Sequence, residues 1–249
     1  MLRKKTLVIL SFLALIFVMI GSVDQKMSKY RWIDVAEHIY LVTSENWHGT
    51  GFAVQDDEGR VFIVTNRHVC GFQGVPLIIK DYMGNEYPVT KRWLSRTTDL
   101  CAIEAPANAI PLKIAKSTEV GAEFVTAGYP LVQFMQQNKG HVIGFSEDSI
   151  WLKHSIPEEL SEAQCNDVGQ IISNKGPDGK PYLICKVELK DVAVTDMFIG
   201  GGASGSPIID AQTHEVIGVL FGGKQVGYSL VLGSFIQIDT LKAFLKAIP

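Results

Sequence analysis

The chain has 249 residues, 47% of them hydrophobic, and can bury one large core or two adjacent small barrels. Its formal net charge of −3 gives no basic stripe, so we expect no nucleic-acid partner. The histidines form no pair at metal-ligand spacing with supporting cysteines or carboxylates, and we expect neither a metal nor another cofactor.

The N-terminal segment has the pattern of an export signal. Arg3, Lys4 and Lys5 precede an uncharged apolar stretch over residues 6–23. This stretch is at the lower limit for spanning a bilayer and longer than a typical cleavable apolar segment. Residues 1–23 therefore fit either a membrane anchor, which we favour, or a signal peptide. In both cases we expect residues 24–32 to form a linker and the remainder of the chain to be exported to a periplasmic or cell-surface location. If residues 6–23 stay uncleaved, they anchor the protein in the inner or plasma membrane.

Short apolar runs between turn residues predict an all-β sandwich or barrel. Helix signals are scarce, and the clearest lies near the end, where Asp239 can cap a first turn and apolar residues share one face up to Ile248. The runs that indicate strands are Val61 to Val64, Leu77 to Ile79, Phe124-Val125, Ile208-Ile209 and Val216 to Leu220.

Three residues along this pattern have the chemistry of an acyl-transfer site. His68 follows the strand at Val61 to Val64, and Asp99 opens the apolar stretch that begins at Leu100. Ser204 lies in the run Gly200-Gly201-Gly202-Ala203-Ser204-Gly205-Ser206-Pro207, which can bend sharply and expose main-chain N–H groups. Taken alone, such a glycine-rich run is more often an ordinary turn.

With these residues the chain resembles the trypsin-like serine proteases of the HtrA/Deg type, over roughly residues 35 to 245. The order His, Asp, Ser is the one that chymotrypsin-like enzymes use, and an α/β-hydrolase would need serine first and histidine last. The motifs that carry the resemblance are Gly49-Thr50-Gly51-Phe52, Thr65-Asn66-Arg67-His68-Val69, Asp99-Leu100-Cys101-Ala102, Ala127-Gly128-Tyr129-Pro130 with Gly140-His141-Val142, and Thr195-Asp196 through to Pro207.

The resemblance implies two six-stranded antiparallel β-barrels, which we place at residues 33–116 and 117–249, the second with the short C-terminal helix. It implies Ser204 as nucleophile, His68 as general base and acid, and Asp99 as the group that fixes the histidine tautomer. The N–H groups of Gly202 and Ser204 are then the oxyanion donors. The family usually has a PDZ domain after the protease, and we expect none before Pro249.

The resemblance also indicates where the substrate binds. Phe198 occupies the base of the primary pocket, which disfavours cleavage after Lys or Arg. Phe221, Gly222 and Gly223 form the opposing wall, where an extended peptide can add to a strand edge. Ala203 stands where trypsin has aspartate and HtrA-like proteases tend to have asparagine, so activation by a newly cleaved amino terminus is not expected.

The four cysteines suit an oxidising compartment, although three pairings are possible and four reduced thiols are the alternative. We prefer Cys165 with Cys185, which bracket a polar loop with a strong turn signal. Cys70 then pairs with Cys101. Each follows a predicted catalytic residue by two positions, so this bridge would brace the site from behind.

The sequence thus predicts a serine endopeptidase that acts on exported polypeptides through an acyl-enzyme intermediate. Two alternatives stay open: a catalytically silent peptide-binding module of the same fold, and an esterase-type acyl hydrolase. An oligomer is compatible with the sequence but has no support in it.

Overall fold

The structure, a computed structural model, describes residues 35–44, 47–71, 75–130, 135–155, 170–175, 181–197, 199–226 and 230–249. The elements, in chain order, are β1 Ile39–Thr43, β2 His48–Gln55, β3 Val61–Thr65, α1 Arg67–Cys70, β4 Ile78–Lys80, β5 Glu86–Pro88, β6 Arg92–Leu94, β7 Cys101–Glu104, β8 Glu123–Gly128, β9 Gln136–Ser155, β10 Gln170–Lys175, β11 Pro181–Thr195, β12 Pro207–Asp210, β13 Val216–Val226, β14 Leu230–Gln237 and α2 Ile238–Lys246.

The N-terminal half folds into one antiparallel sheet. Its strand order is β5-β4-β1-β2-β3-β7-β6, so sequence neighbours mostly pair with each other. The central strand β2 is buried along six consecutive positions, Gly49 to Val54. Its side chains therefore have cover on both faces of the sheet, unlike those of the exposed strand β5.

The C-terminal half folds into a closed barrel. The ring of hydrogen-bonded strands runs β9-β8-β12-β13-β14-β11, and β11 pairs again with β9, while β10 adds outside the ring on β11. Its core includes Phe124 and Phe235, whose rings meet edge to face with centroids 6.4 Å apart. The predicted chymotrypsin-like double-barrel architecture is confirmed.

One detail differs from the predicted fold. The first unit is a curled sheet of seven strands, and among the described residues its outer strands β5 and β6 do not pair with each other. Each has only three residues, which limits the hydrogen bonds available for closure. The first sheet ends at Glu104 and the second begins at Glu123. The domain boundary predicted after residue 116 lies between these two residues and stays a prediction.

The C-terminal helix lies where the sequence predicts it, but the predicted cap at Asp239 is wrong. The N-cap residue is Gln237, which is also the last residue of β14, so the helix follows the strand without a loop. Asp239 lies in the first turn instead, where its charge complements the helix dipole. Leu241 and Leu245 are buried, as predicted for the apolar face.

In the described part of the chain, no helix has the length and apolar character needed to cross a bilayer. The predicted anchor at residues 6–23 and the linker at residues 24–32 lie outside the described residues.

Candidate active site

Strand pairing in the first sheet brings His68 and Asp99 together. β3 and β7 are antiparallel neighbours, and Thr65 pairs with Cys101. The residues that follow Thr65 therefore lie beside those that precede Cys101. Here the chain leaves β3 for the short helix α1, and the carbonyl of Asp99 accepts hydrogen bonds from the main-chain N–H of Arg67 at 3.2 Å and from Asn66 Nδ2 at 3.0 Å.

The carboxylate of Asp99 holds His68 at two points. Oδ2 lies 2.7 Å from Nδ1 of the imidazole, and Oδ1 accepts the main-chain N–H of His68 at 3.0 Å. Asp99 is fully buried, whereas 39% of the His68 side chain remains exposed. The contact with Oδ2 favours the tautomer that carries its proton on Nδ1, which leaves Nε2 free to accept one.

The same contact changes the acidity of the imidazole. Removal of the ring from water lowers the pKa of His68, but the charge of Asp99 and the hydrogen bond to it outweigh this effect. The pKa of His68 therefore lies above its ordinary value of 6.5.

Ser204 lies in the tight loop between β11 and β12. Gly202 and Gly205, on either side of it, have φ angles of +91° and +85°, a conformation that favours glycine. The Ser204 hydroxyl donates to the carbonyl of Phe221 at 3.3 Å. The Ala203 N–H donates to the carbonyl of Gly200 at 3.2 Å, which closes a turn just before the serine. Within the described residues, the N–H groups of Gly202 and Ser204 have no acceptor.

Strand β2 connects the serine loop to the helix that carries His68. The N–H of Thr50 donates to the carbonyl of Ser204 at 2.8 Å. Gly49 lies between the two elements, because a Cβ atom there would be 2.6 Å from both Cγ atoms of Val69 and 3.1 Å from the Ser204 carbonyl oxygen. The close approach of the serine loop to α1 thus depends on a residue without a side chain.

A disulfide bond joins Cys70 and Cys101, both fully buried, behind the His68–Asp99 pair. It links the last residue of α1 to the first residue of β7, as the sequence predicts. Of the other predicted bridge, Cys165 lies outside the described residues, and nothing is described of the Cys185 side chain.

The predicted substrate pocket is only partly described. Phe198 lies outside the described residues. Phe221 packs against Leu189 and Val192, and Gly222 and Gly223 pair with β14. A cavity of about 480 Å³ lies beside the serine loop, with Ile199, Ala203, Ser206 and Leu220 in its wall.

Two residues near the serine were given no role by sequence reasoning. Thr50 and His48 both contact the loop, and the Nε2 atom of His48 is buried against Gly202 with no hydrogen-bond partner among the described residues. The only signal for them in the sequence is their place in and next to the motif Gly49-Thr50-Gly51-Phe52.

A second His–Asp pair was also missed. The main-chain N–H of His141 donates to Asp196 Oδ1 at 2.6 Å, and His141 Nδ1 lies 3.0 Å from Oδ2. The bonding resembles that of His68 and Asp99, but both side chains are about half exposed, 55% for His141 and 45% for Asp196.

A first β unit with a histidine bound to a buried aspartate, joined to a second β unit with a serine in a glycine-rich loop, defines the chymotrypsin-like class of peptidase folds. Residues 49–219 match the family model described as trypsin-like peptidase domain. The chain belongs to this family and is a serine endopeptidase. No curated protein matches it by sequence.

Solved structures of HtrA-type and related proteases are similar in fold. The active form of the Rv3671c protease from M. tuberculosis is 18% identical with a TM-score of 0.63, over 87% of this chain and 82% of that chain. An inactive form of the same protease is 20% identical with a TM-score of 0.60, over 87% and 91%. The HtrA-type protease AlgW with a tripeptide is 17% identical with a TM-score of 0.59, over 86% of this chain and 60% of that chain. The predicted resemblance to trypsin-like, HtrA-type serine proteases is confirmed.

Proposed function

We propose that the chain hydrolyses peptide bonds of exported proteins through the triad Ser204, His68 and Asp99. One observation carries this proposal: the buried carboxylate of Asp99 binds both the Nδ1 atom and the main-chain N–H of His68. This arrangement orients the imidazole and stabilises its protonated form, the two functions that a general base needs from its partner.

In the proposed reaction, Ser204 Oγ attacks the substrate carbonyl while His68 Nε2 takes its proton. The resulting oxyanion binds the N–H groups of Gly202 and Ser204, whose lack of acceptors among the described residues supports this role. The imidazolium then gives the proton to the departing amine, which leaves an acyl-enzyme that water hydrolyses. In the structure the Ser204 hydroxyl donates to the carbonyl of Phe221. The proposed attack requires the hydroxyl to turn towards His68 Nε2.

The substrate main chain is proposed to bind along β13. The pairing of β13 with β12 reaches Val219, and beyond Leu220, among the described strands, β13 pairs with β14 alone. An extended peptide can add at the open edge of Phe221, Gly222 and Gly223, where two glycines allow the close approach of another main chain. Phe198 remains the proposed base of the primary pocket.

Export is proposed from two features. The Cys70–Cys101 bridge is typical of proteins in oxidising compartments. The basic residues before the apolar stretch at residues 6–23 supply the signal, and an uncleaved stretch would bind the membrane.

Replacing the nucleophile tests the proposed function. We expect Ser204→Ala to reduce kcat on a peptide library by about 10⁶-fold, to near background, because the acyl-enzyme cannot form. Ser206→Ala is the matched control, since it removes a nearby buried hydroxyl that has no hydrogen-bond partner in the described part of the chain. If the full chain in detergent cleaves peptides equally well with and without Ser204, the proposal is wrong. Binding without turnover would indicate the silent module, and turnover of esters alone an esterase.

The pKa of His68 sets the expected pH dependence. Only the neutral imidazole accepts the Ser204 proton, so we expect kcat/KM to rise with pH through an apparent pKa above 6.5. For stability the sign is opposite: the shift stabilises the fold at pH values below 6.5, and this contribution is lost as pH rises through the folded-state pKa. A pH–rate profile measures the first effect, and an apparent pKa at or below 6.5 would contradict it.

A further inference from the structure

We propose that Thr50 is a positioning residue that orients the oxyanion segment, defined here as Gly200 to Ser204. The inference rests on the proposed function and adds to it a residue from the first sheet. Thr50 lies in the middle of β2, is fully buried, and is 152 residues distant from Gly202 in the chain.

Thr50 holds the oxyanion segment at two carbonyl groups. Its hydroxyl donates to the carbonyl of Gly202 at 3.0 Å, and its main-chain N–H donates to the carbonyl of Ser204 at 2.8 Å. These are the two residues whose N–H groups are the proposed oxyanion donors. The hydrogen-bond partners of one threonine thus lie on both sides of Ala203.

The hydroxyl fixes a peptide unit that glycine alone leaves free. The Gly202–Ala203 peptide group cannot rotate without losing the bond from Thr50 to its carbonyl, or the bond from its N–H to Gly200. Because Gly200, Gly201 and Gly202 follow one another, the segment loses much conformational entropy on ordering, and fixed contacts are needed to hold it.

The same hydroxyl connects the oxyanion segment to β8. It accepts the main-chain N–H of Tyr129 at 2.9 Å, so its own proton is directed to Gly202. Gly202 fits tightly at this place, since a Cβ atom on it would lie 2.5 Å from His48 Nε2 and 2.6 Å from the Tyr129 carbonyl oxygen. The carbonyl of Thr50 accepts the Thr65 hydroxyl at 2.6 Å, which fixes Thr50 from its other side. The Thr50 hydroxyl therefore links the residue that follows β8 to the oxyanion segment through two hydrogen bonds.

Removing the hydroxyl while keeping the shape of the side chain tests this inference. We expect Thr50→Val to lower kcat by about 10- to 100-fold, less than the full loss of an oxyanion donor, with KM unchanged. Thr50→Ser retains the hydroxyl and should restore kcat close to that of the wild type. Thr118→Val is the matched control, because the Thr118 hydroxyl also donates to a main-chain carbonyl, that of Ile217, outside the oxyanion segment.

The outcomes separate this inference from the proposed function. If the wild-type chain and Ser204→Ala are equally inactive, the proposed function fails and the inference fails with it. If the wild type is active and Thr50→Val keeps its kcat, or changes KM alone, the inference alone is overturned. A Thr50→Ser variant as slow as Thr50→Val would also overturn it, since retention of the hydroxyl would then not preserve kcat. Should Thr50→Val not fold, Thr50→Ala, which differs from Thr50→Ser only by the hydroxyl, is measured against Thr50→Ser by the same criteria.

Discussion

Asp99→Asn is expected to lower kcat by about 10⁴-fold while the protein stays folded, because an amide in place of Oδ2 can donate to Nδ1 and favours the wrong tautomer of His68. The His68 Nε2 atom would then carry the proton and could not accept one from Ser204. The burial of Asp99 makes the effect large, since water cannot replace the carboxylate at this position. Steady-state kinetics on one peptide substrate measure the loss.

Asp196→Asn is the matched control for this experiment. Asp196 forms the same two contacts with His141 that Asp99 forms with His68, but it is 45% exposed and belongs to the other pair. We expect the change in kcat to be far smaller at Asp196 than at Asp99. Equal losses for the two variants, or a loss under about tenfold for Asp99→Asn, would contradict the role assigned to Asp99.

Removal of the disulfide bond is expected to lower the free energy of unfolding by about 3 to 4 kcal/mol, the chain-entropy value for a closed loop of this size. Cys70 and Cys101 are 31 residues apart, and the loop between them contains β4, β5 and β6. Both sulfur atoms lie in the core of the first sheet, so the double variant Cys70→Ala, Cys101→Ala also loses packing. Urea unfolding at fixed pH measures the difference.

Reductant provides the control for the disulfide prediction. Wild-type protein unfolded in the presence of dithiothreitol should lose part of the same free energy, whereas the double variant should lose none through this bridge. We also expect lower activity in the double variant, because the bridge joins α1, which carries His68, to β7, which begins two residues after Asp99. An unchanged free energy of unfolding in the double variant would show that the bridge does not stabilise the fold.

Local pattern was sufficient to predict that His68 and Asp99 lie close together and that Cys70 pairs with Cys101. His68 follows one apolar strand and Asp99 precedes another, and antiparallel pairing of these strands brings the two residues together. The two cysteines follow at equal offsets, so the same pairing aligns them. Such features can be read from the sequence because the contacts follow from strand register.

Contacts between distant segments could not be predicted in the same way. Thr50 reaches the serine loop only because the second β unit packs against the centre of β2, and no local pattern encodes that meeting. The pair His141 and Asp196 depends on the end of β11 lying beside the start of β9, 55 residues apart. The helix cap at Gln237 was missed because β14 continues directly into α2, where a turn residue was expected.

Covalent labelling of Ser204 is the measurement that tests the central claim most directly. The full chain in detergent is treated with a fluorophosphonate probe, and the modified residue is located by peptide mass spectrometry, with Ser204→Ala and Ser206→Ala treated in parallel. The account predicts a single adduct on Ser204 in the wild type and in Ser206→Ala, and none in Ser204→Ala. An adduct on another residue that persists in Ser204→Ala, or no adduct on a folded protein that cleaves peptides, would contradict it.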